Sequence, residues 1–323
     1  MNKLLSLILM LLLSIGLVAG CGDDKTPVDE TTTNEGSQES NQGEAYPVAI
    51  KDALDEEVII EEQPERIVSL IPSNTEIAYE LGLGEEIVGV SDFDNYPEDT
   101  ADKEKIGGQE MNIEKIISLK PDLVLAHASS AHNSTEGFQQ LKDAGIPVLV
   151  VNEAQNFDQV YESIEMIGKA SGKQQEAGQI VSEMKEEIEA IKEKAQSISQ
   201  KKSVFIEVSP APEIYTPGKN TFMDEMLSII NAENASGDLE GWAKIDQEAV
   251  VEKNPDVIIT TYGYYTENAV EQVLSRDGWK DVTAIKDKQV YDVHSDLVAR
   301  SGPRLAEGVE ELAKAVYPET FNK

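Results

Sequence analysis

One cysteine, three histidines and a shortage of basic residues set the first limits on this 323-residue chain. The lone thiol, Cys21, excludes an intramolecular disulfide framework and any cysteine-based zinc cluster. Lysine and arginine number 27 against 61 aspartate and glutamate, a formal net charge of −34, so the basic surface of a nucleic-acid binder is missing. No GxSxG elbow, glycine-rich phosphate loop or HExxH pair occurs, and the usual nucleophilic, nucleotide and zinc routes to catalysis lack their marks. Aromatic residues are only 6%, but a hydrophobic content of 40% suffices for a folded core, and the length suits one large domain or two ordinary ones.

What is present starts at the N-terminus. Lys3 precedes an uncharged, largely apolar run over residues 4–20 that ends in small residues, the layout of an export signal. Val18-Ala19-Gly20-Cys21 resembles a bacterial lipoprotein lipobox, which implies cleavage after residue 20 and a diacylglyceryl group on the Cys21 sulfur. The alternative is an uncleaved anchor, for which a run of 17 residues is short. Either places the bulk of the chain outside the cytoplasm. Residues 22–45 are acidic, polar and glycine-rich, with Val28 as the one branched aliphatic, and cannot bury enough surface to offset their ordering entropy. They read as a tether spanning about 25 to 30 Å as a coil, and its negative charge opposes adhesion to anionic lipid.

From Tyr46 onward, two short strand-like pieces lead into an alternation of strands and helices. Strands are expected over 67–70, 87–90, 123–126 and 148–151, with helices over 74–81, 113–119, 135–144 and 157–170. Short apolar strands between helices predict a parallel sheet covered on both faces. Residues 173–200 contain no proline and carry Ile180, Met184, Ile188 and Ile191 at helical spacing, which predicts one long helix with a narrow apolar stripe. Strands over 204–208, 257–261 and 290–293 then alternate with helices over 222–231, 247–253 and 305–316. The organisation is therefore signal (1–20), lipidated cysteine and tether (21–45), α/β lobe (46–172), linking helix (173–200) and second α/β lobe (201–323).

The lobes share a signature. EKIISLKPDLVLA from Glu114 and EAVVEKNPDVIIT from Glu248 align without a gap at an offset of 134 residues. Each is a short helix, a stop at Lys-Pro or Asn-Pro, and a buried strand, with Asn112 and Asp246 at the N-cap positions. Duplication and the generic helix-to-strand grammar of α/β folds both account for the match.

PERIVSLIPSNTEIAYELGLGEEIVGVSDFDNYP, then MNIEKIISLKPDLVLA, the long helix and DLVARSGPRLAEGVEELA together resemble the substrate-binding lipoproteins of ABC importers that capture iron chelates, haem and cobalamin, most closely the cobalamin-binding, BtuF-like branch. The resemblance implies an α/β fold of two Rossmann-like lobes joined by one rigid helix, the helical-backbone periplasmic-binding-protein fold, with ligand between the lobes and closure of a few degrees. It further implies a monomer without a resident cofactor that hands a corrinoid, foremost cobalamin, to a permease with separate ATPase subunits. Glu114 and Glu248 match the family glutamates that pair with permease arginines, although an acid at the second position of a helix also serves the helix dipole.

For the ligand, loops after strands are the place to look. Phe93 and Tyr96 in SDFDNYP could flank a flat ring; Trp242, six residues before Glu248, falls where cobalamin binders carry a stacking tryptophan; Tyr262, Tyr264 and Tyr265 add a second wall; and Arg300 precedes Gly302-Pro303 as in the family. Phe93 and Trp242 could instead be lobe packing, and Arg304 reads as a local cap or pair. Gly107-Gly108-Gln109-Glu110 stands where such binders often have another tryptophan, which favours other corrinoids or chelates. His127 or His294 with Met111 could offer axial ligands to haem, His132 completes the histidines, and direct metal binding is not expected. Anionic siderophores would want several cleft cations, of which Arg300 alone is well placed. A lipid-tethered hydrolase, and a surface adhesin or sensor, are the readings of another class.

Overall fold

The structure is a computed structural model that describes residues 46–322. The signal, Cys21 and the tether lie outside the described residues, which belong to a compact unit spanning Gly43–Lys323.

The first lobe begins with the antiparallel pair β1 (Val48–Lys51) and β2 (Glu57–Ile60), in which Val48, Ile50, Val58 and Ile60 turn inward at the strand period of two. Next come β3 (Ile67–Ser69), α1 (Pro72–Glu80), β4 (Ile87–Val90), a 3₁₀ turn (Glu98–Asp102), β5 (Glu104–Lys105), α2 (Ile113–Ser118), β6 (Leu123–His127), α3 (Ala128–Asp143), β7 (Val148–Val151) and α4 (Phe157–Ser171). Five of these strands form a parallel sheet in the order β5-β4-β3-β6-β7. Every residue of β3, β6 and β7 is buried, as two helix-covered faces require.

Gly172, in the left-handed region at φ 72°, ends α4 and turns the chain into α5 (Gln174–Ala195). Ala177, Ile180, Val181, Met184, Ile191 and Ala195 are the buried stripe, with Ile188 partly buried. They join one apolar core that continues into both lobes, so the link is a packed element of each. The helix stops five residues short of the expected 200. Ser197 turns its hydroxyl onto the Lys194 carbonyl, the local competition that makes serine a poor helix continuer.

The second lobe contains β8 (Ser203–Glu207), β9 (Tyr215–Pro217), α6 (Phe222–Ile229), β10 (Glu233–Asn234), β11 (Trp242–Lys244), α7 (Gln247–Lys253), β12 (Val257–Thr260), α8 (Ala269–Leu274), α9 (Thr283–Lys286), β13 (Val290–Asp292), α10 (Ser295–Val298), α11 (Leu305–Val316) and α12 (Pro318–Phe321). Its parallel sheet runs β10-β8-β12-β13, and β11 pairs antiparallel with β9 outside it. Leaving out β5, the first sheet runs β4-β3-β6-β7, so α2–β6 and α7–β12, the two copies of the aligned segment, occupy the same place in each lobe. Asn112 caps α2 by accepting from the Lys115 N–H at 2.9 Å; Asp246 stands at the equivalent position of α7 without a side-chain cap bond.

Gly308 sets how α11 meets α10. A Cβ there would lie 2.0 Å from the Leu297 carbonyl oxygen, which is backbone and cannot yield as a side chain does. Gly308→Ala is expected to lower unfolding free energy by about 1–3 kcal/mol, as overpacking does, read from the urea midpoint at unchanged m-value.

Candidate functional site

The carboxyl ends of parallel strands, where chains cross to helices on both faces, are where open α/β sheets hold ligands. A cleft of about 320 Å³ lies there, between the lobes. The first lobe contributes the start of α1 after β3 (Ile71, Pro72, Ser73), His127 and Ser129 after β6, and Glu153, Ala154 and Gln155 after β7. The second contributes Phe222, Trp242 and the segment after β13 that carries Asp296 and Arg300. A larger hollow, about 560 Å³, sits at the amino ends of β8, β12 and β13 beside Lys202, Asp256 and Gln289, the wrong end of a parallel sheet for a ligand.

An ion cluster crosses from lobe to lobe. Glu76 on α1 has a side chain only 2% exposed, and Arg300 reaches its Oε1 at 2.5 Å. Arg304 binds both oxygens, Nη2 to Oε1 at 2.6 Å and Nε to Oε2 at 2.9 Å, a bidentate fork. Arg300 also donates to Asn95 Oδ1 at 3.0 Å and meets Asp296 Oδ1 at 2.8 Å, while Asn95 Nδ2 donates to Asp296 Oδ2 at 2.8 Å. Arg304 lies 3.8 Å above the centre of the Tyr96 ring. A further cross-lobe bond runs from the Phe157 N–H to Glu225 Oε2 at 2.9 Å. The local role expected of Arg304 is thus corrected: it heads α11 without capping it, and its partner is 228 residues away. A cation at a helix N-terminus opposes the dipole, and the Glu76 carboxylate offsets this.

The aromatic candidates separate. Trp242 is 44% exposed at the cleft and braced edge-on by Phe222, with ring centres 5.9 Å apart. Phe93 is exposed and covers Gly108, where a Cβ would stand 3.0 Å from its ring, so the glycine in place of a bulky residue gives Phe93 its position. Tyr96 is exposed beneath Arg304. Tyr264 and Tyr265 are exposed and pack edge to face at 4.7 Å, with the Tyr264 ring 5.4 Å from that of His294.

Tyr262 is corrected out of the expected wall. It is 1% exposed, and its hydroxyl donates to Glu207 Oε1 at 2.5 Å. Burial, then the neighbouring Glu207 carboxylate, push its pKa far up. Glu207 is itself fully buried and held bidentately by Arg276, so Tyr262 completes a closed polar unit inside the second lobe.

His127 is buried at the end of β6, with Nδ1 2.8 Å from Ser129 Oγ, and caps α3 by accepting from the Ser129 N–H at 3.3 Å. This cap starts α3 seven residues earlier than expected, through a polar stretch whose periodicity is weak. Burial lowers the His127 pKa to about 4, against a hydrogen bond with the Asn152 backbone. Its ring is therefore neutral and committed to the protein. Met111 packs against the core of the first lobe, His132 is exposed on α3, and His294 caps α10. Among the described residues no three of His, Cys, Asp and Glu converge as metal ligands.

Glu114 and Glu248 are the second residues of α2 and α7, both exposed, and neither forms an ion pair among the described residues. Because α2 and α7 lead into β6 and β12, their N-termini lie at the strand ends that bear the cleft.

The model of the periplasmic binding proteins matches residues 67–297. The chain belongs to this family. It is 53% identical over 315 residues, 97% of each chain, to YvrC of Bacillus subtilis, described as an uncharacterized ABC transporter substrate-binding lipoprotein. It is 30% identical over 257 residues to a vitamin B12-binding protein of Vibrio campbellii, covering 77% of this chain and 88% of that one. Among solved structures, a possible iron-binding periplasmic solute-binding protein from Staphylococcus epidermidis superposes with a TM-score of 0.73 at 38% identity, over 79% of this chain and all of that one. The two-lobed α/β architecture is that of the family, and the chain is a substrate-binding component of an ABC transporter, working with permease and ATPase partners. Its relatives are transport binding proteins rather than enzymes.

Glu76→Gln leaves two largely buried guanidiniums short of a counter-charge, and a loss of about 3–5 kcal/mol is expected, the cost of breaking a buried pair from one side, measured by denaturant unfolding. His127 gives a pH signature. Between its ordinary value of 6.5 and its folded value of about 4, the unfolded chain takes up a proton that the folded chain refuses. Its contribution is thus intact above 6.5 and falls by about 3 kcal/mol as pH drops through that window. His127→Gln should flatten the stability profile between pH 6.5 and 4.

Proposed function

We propose that this protein captures a corrinoid, cobalamin foremost, in the interlobe cleft and delivers it to its permease. The observation that carries the reading is the Trp242 face, 44% exposed and held edge-on by Phe222 in the cleft, a preformed platform for a flat macrocycle. The vitamin B12-binding relative supports it. Phe93, Tyr96 and Tyr264 are exposed aromatics assigned by this reading to further contact with the cargo, and Arg300, held by Glu76, Asn95 and Asp296, keeps N–H donors for a polar side group. The likeness to a possible iron-binding protein supports a second cargo, a ferric siderophore or haem.

Glu114 and Glu248 are the docking pair, one from each lobe, offering unpaired carboxylates to arginines on the permease, so that both lobes are engaged at once. Cys21 carries the lipid, and residues 22–45 let the binding unit work near the outer face of the membrane. No cofactor resides in the protein; the cobalt belongs to the cargo.

The test is calorimetric titration with cyanocobalamin, haem and ferric siderophores in one buffer, joined to uptake by cells carrying each variant. Cobalamin binds one to one, and Trp242→Ala weakens it by about 2 kcal/mol, roughly thirtyfold. Glu114→Lys with Glu248→Lys leaves binding intact and abolishes uptake. A siderophore or haem signal without cobalamin replaces the cargo, and uptake unaffected by the double charge reversal removes the docking roles.

A further inference from the structure

We infer that the cleft sorts its cargo by charge, accepting uncharged or cationic ligands and rejecting anionic ones, with Asp296 as the residue that enforces the choice. The inference rests on the cleft being the cargo site and deepens that reading.

Among the residues lining the cleft, Arg300 is the one Lys or Arg. An arginine in a binding cleft ordinarily invites a carboxylate or phosphate. Here both terminal nitrogens are engaged by the protein: Nη1 with Glu76 at 2.5 Å and Asn95 at 3.0 Å, Nη2 with Asp296 at 2.8 Å. The neighbouring Arg304 is likewise spent on Glu76 and covered by Tyr96. Two guanidiniums meet two carboxylates, and the group closes with no net positive charge. An anionic cargo taking the remaining Arg300 donors would sit beside Asp296, which Nη2 already holds at 2.8 Å, and like charges at that range in a partly desolvated site are strongly unfavourable.

The rest of the lining adds no counterweight. Glu153 is exposed on the opposite wall without an ion pair among the described residues, and His127 is buried with its Nδ1 on Ser129. Four helices begin at the cleft, α1, α3, α6 and α10, and their N-termini favour anions. However, Pro72 opens α1 without an N–H, and the side chains of His127, Thr221 and His294 occupy first-turn donors of α3, α6 and α10. Fractional helix-end charges do not outweigh full carboxylates at comparable distance. The net charge of −34 also repels anions before contact, within a screening length of about 8–10 Å.

The experiment compares ligands that differ in charge, the corrinoid pair on one core and the iron chelates across two, using the full chain in detergent. Cyanocobalamin is paired with its monocarboxylic acid, in which one side-chain amide is a carboxylate, and an uncharged ferric trihydroxamate is paired with ferric dicitrate. The uncharged member is expected to bind at least about tenfold more tightly in the pair that binds. Asp296→Asn narrows that gap by about tenfold at low salt, through gain by the anion, while the uncharged ligand stays within about threefold. Glu153→Gln, a change to an exposed side chain that leaves the ion cluster alone, narrows it less and in a salt-dependent way. Equal or tighter binding of the anionic member, or a gap unmoved by both substitutions, overturns the inference. Preference for the trihydroxamate over the citrate with no corrinoid binding supports charge sorting while removing the corrinoid as cargo. Failure of all four to bind a natively folded chain removes the cargo site and this inference with it.

Discussion

A carboxylate buried between two lobes has to be neutralised or the lobes part. Glu76 meets that demand with Arg300 and Arg304, both from the other lobe, and the position of the cleft wall follows, because the same Arg300 lines the cavity. Ion pairs of this kind add little net stability compared with an apolar contact, since desolvation consumes most of the attraction. What they contribute is register. A slip of the lobes by an ångström or two would leave two guanidiniums and a carboxylate badly solvated. The apolar core through α5 supplies cohesion and the ion cluster supplies alignment.

The same division appears within each lobe. Fully buried strands carry no chemistry of their own, and polar groups at their carboxyl ends do the work. Glu207 at the end of β8 is closed off by Tyr262 and Arg276, whereas His127 at the end of β6 opens a helix and lines the cleft. The carboxyl ends of the two sheets thus carry different polar groups, Glu207 after β8, the counterpart of β3, and His127 after β6, the counterpart of β12. At their rims the symmetry is kept, with Glu114 and Glu248 in matching positions.

Much of the architecture was legible because its signals are local. Apolar runs between helical patterns located seven of the nine strands of the two parallel sheets to within a residue or two, missing the two-residue edge strands β5 and β10, and α7 and α11 fell on their expected bounds. The pair β9–β11 was not legible, since three-residue strands joined at long range leave no periodic trace. Among site residues, local environment was readable and long-range partnership was not. Trp242 could be placed near the cleft only through the family resemblance; Glu76 could not be singled out, because an acid on a short helix is common and its arginines lie more than 220 residues onward. Tyr262 was misjudged for a related reason. Nothing in a tyrosine after a strand tells whether its hydroxyl meets solvent or a buried glutamate.

Trp242 is mounted on the β9–β11 ribbon, apart from the four-stranded sheet that forms the interior of its lobe. The ribbon can therefore change length, twist or residue type without disturbing the strands on which folding depends. Descendants of one ancestor could exchange one chelate for another by altering this small appendage and the facing loops, with the interior left as it was. Evolution of cargo preference in such a lineage should be fast at the appendage and slow beneath it, and a new specificity need not wait for a new fold.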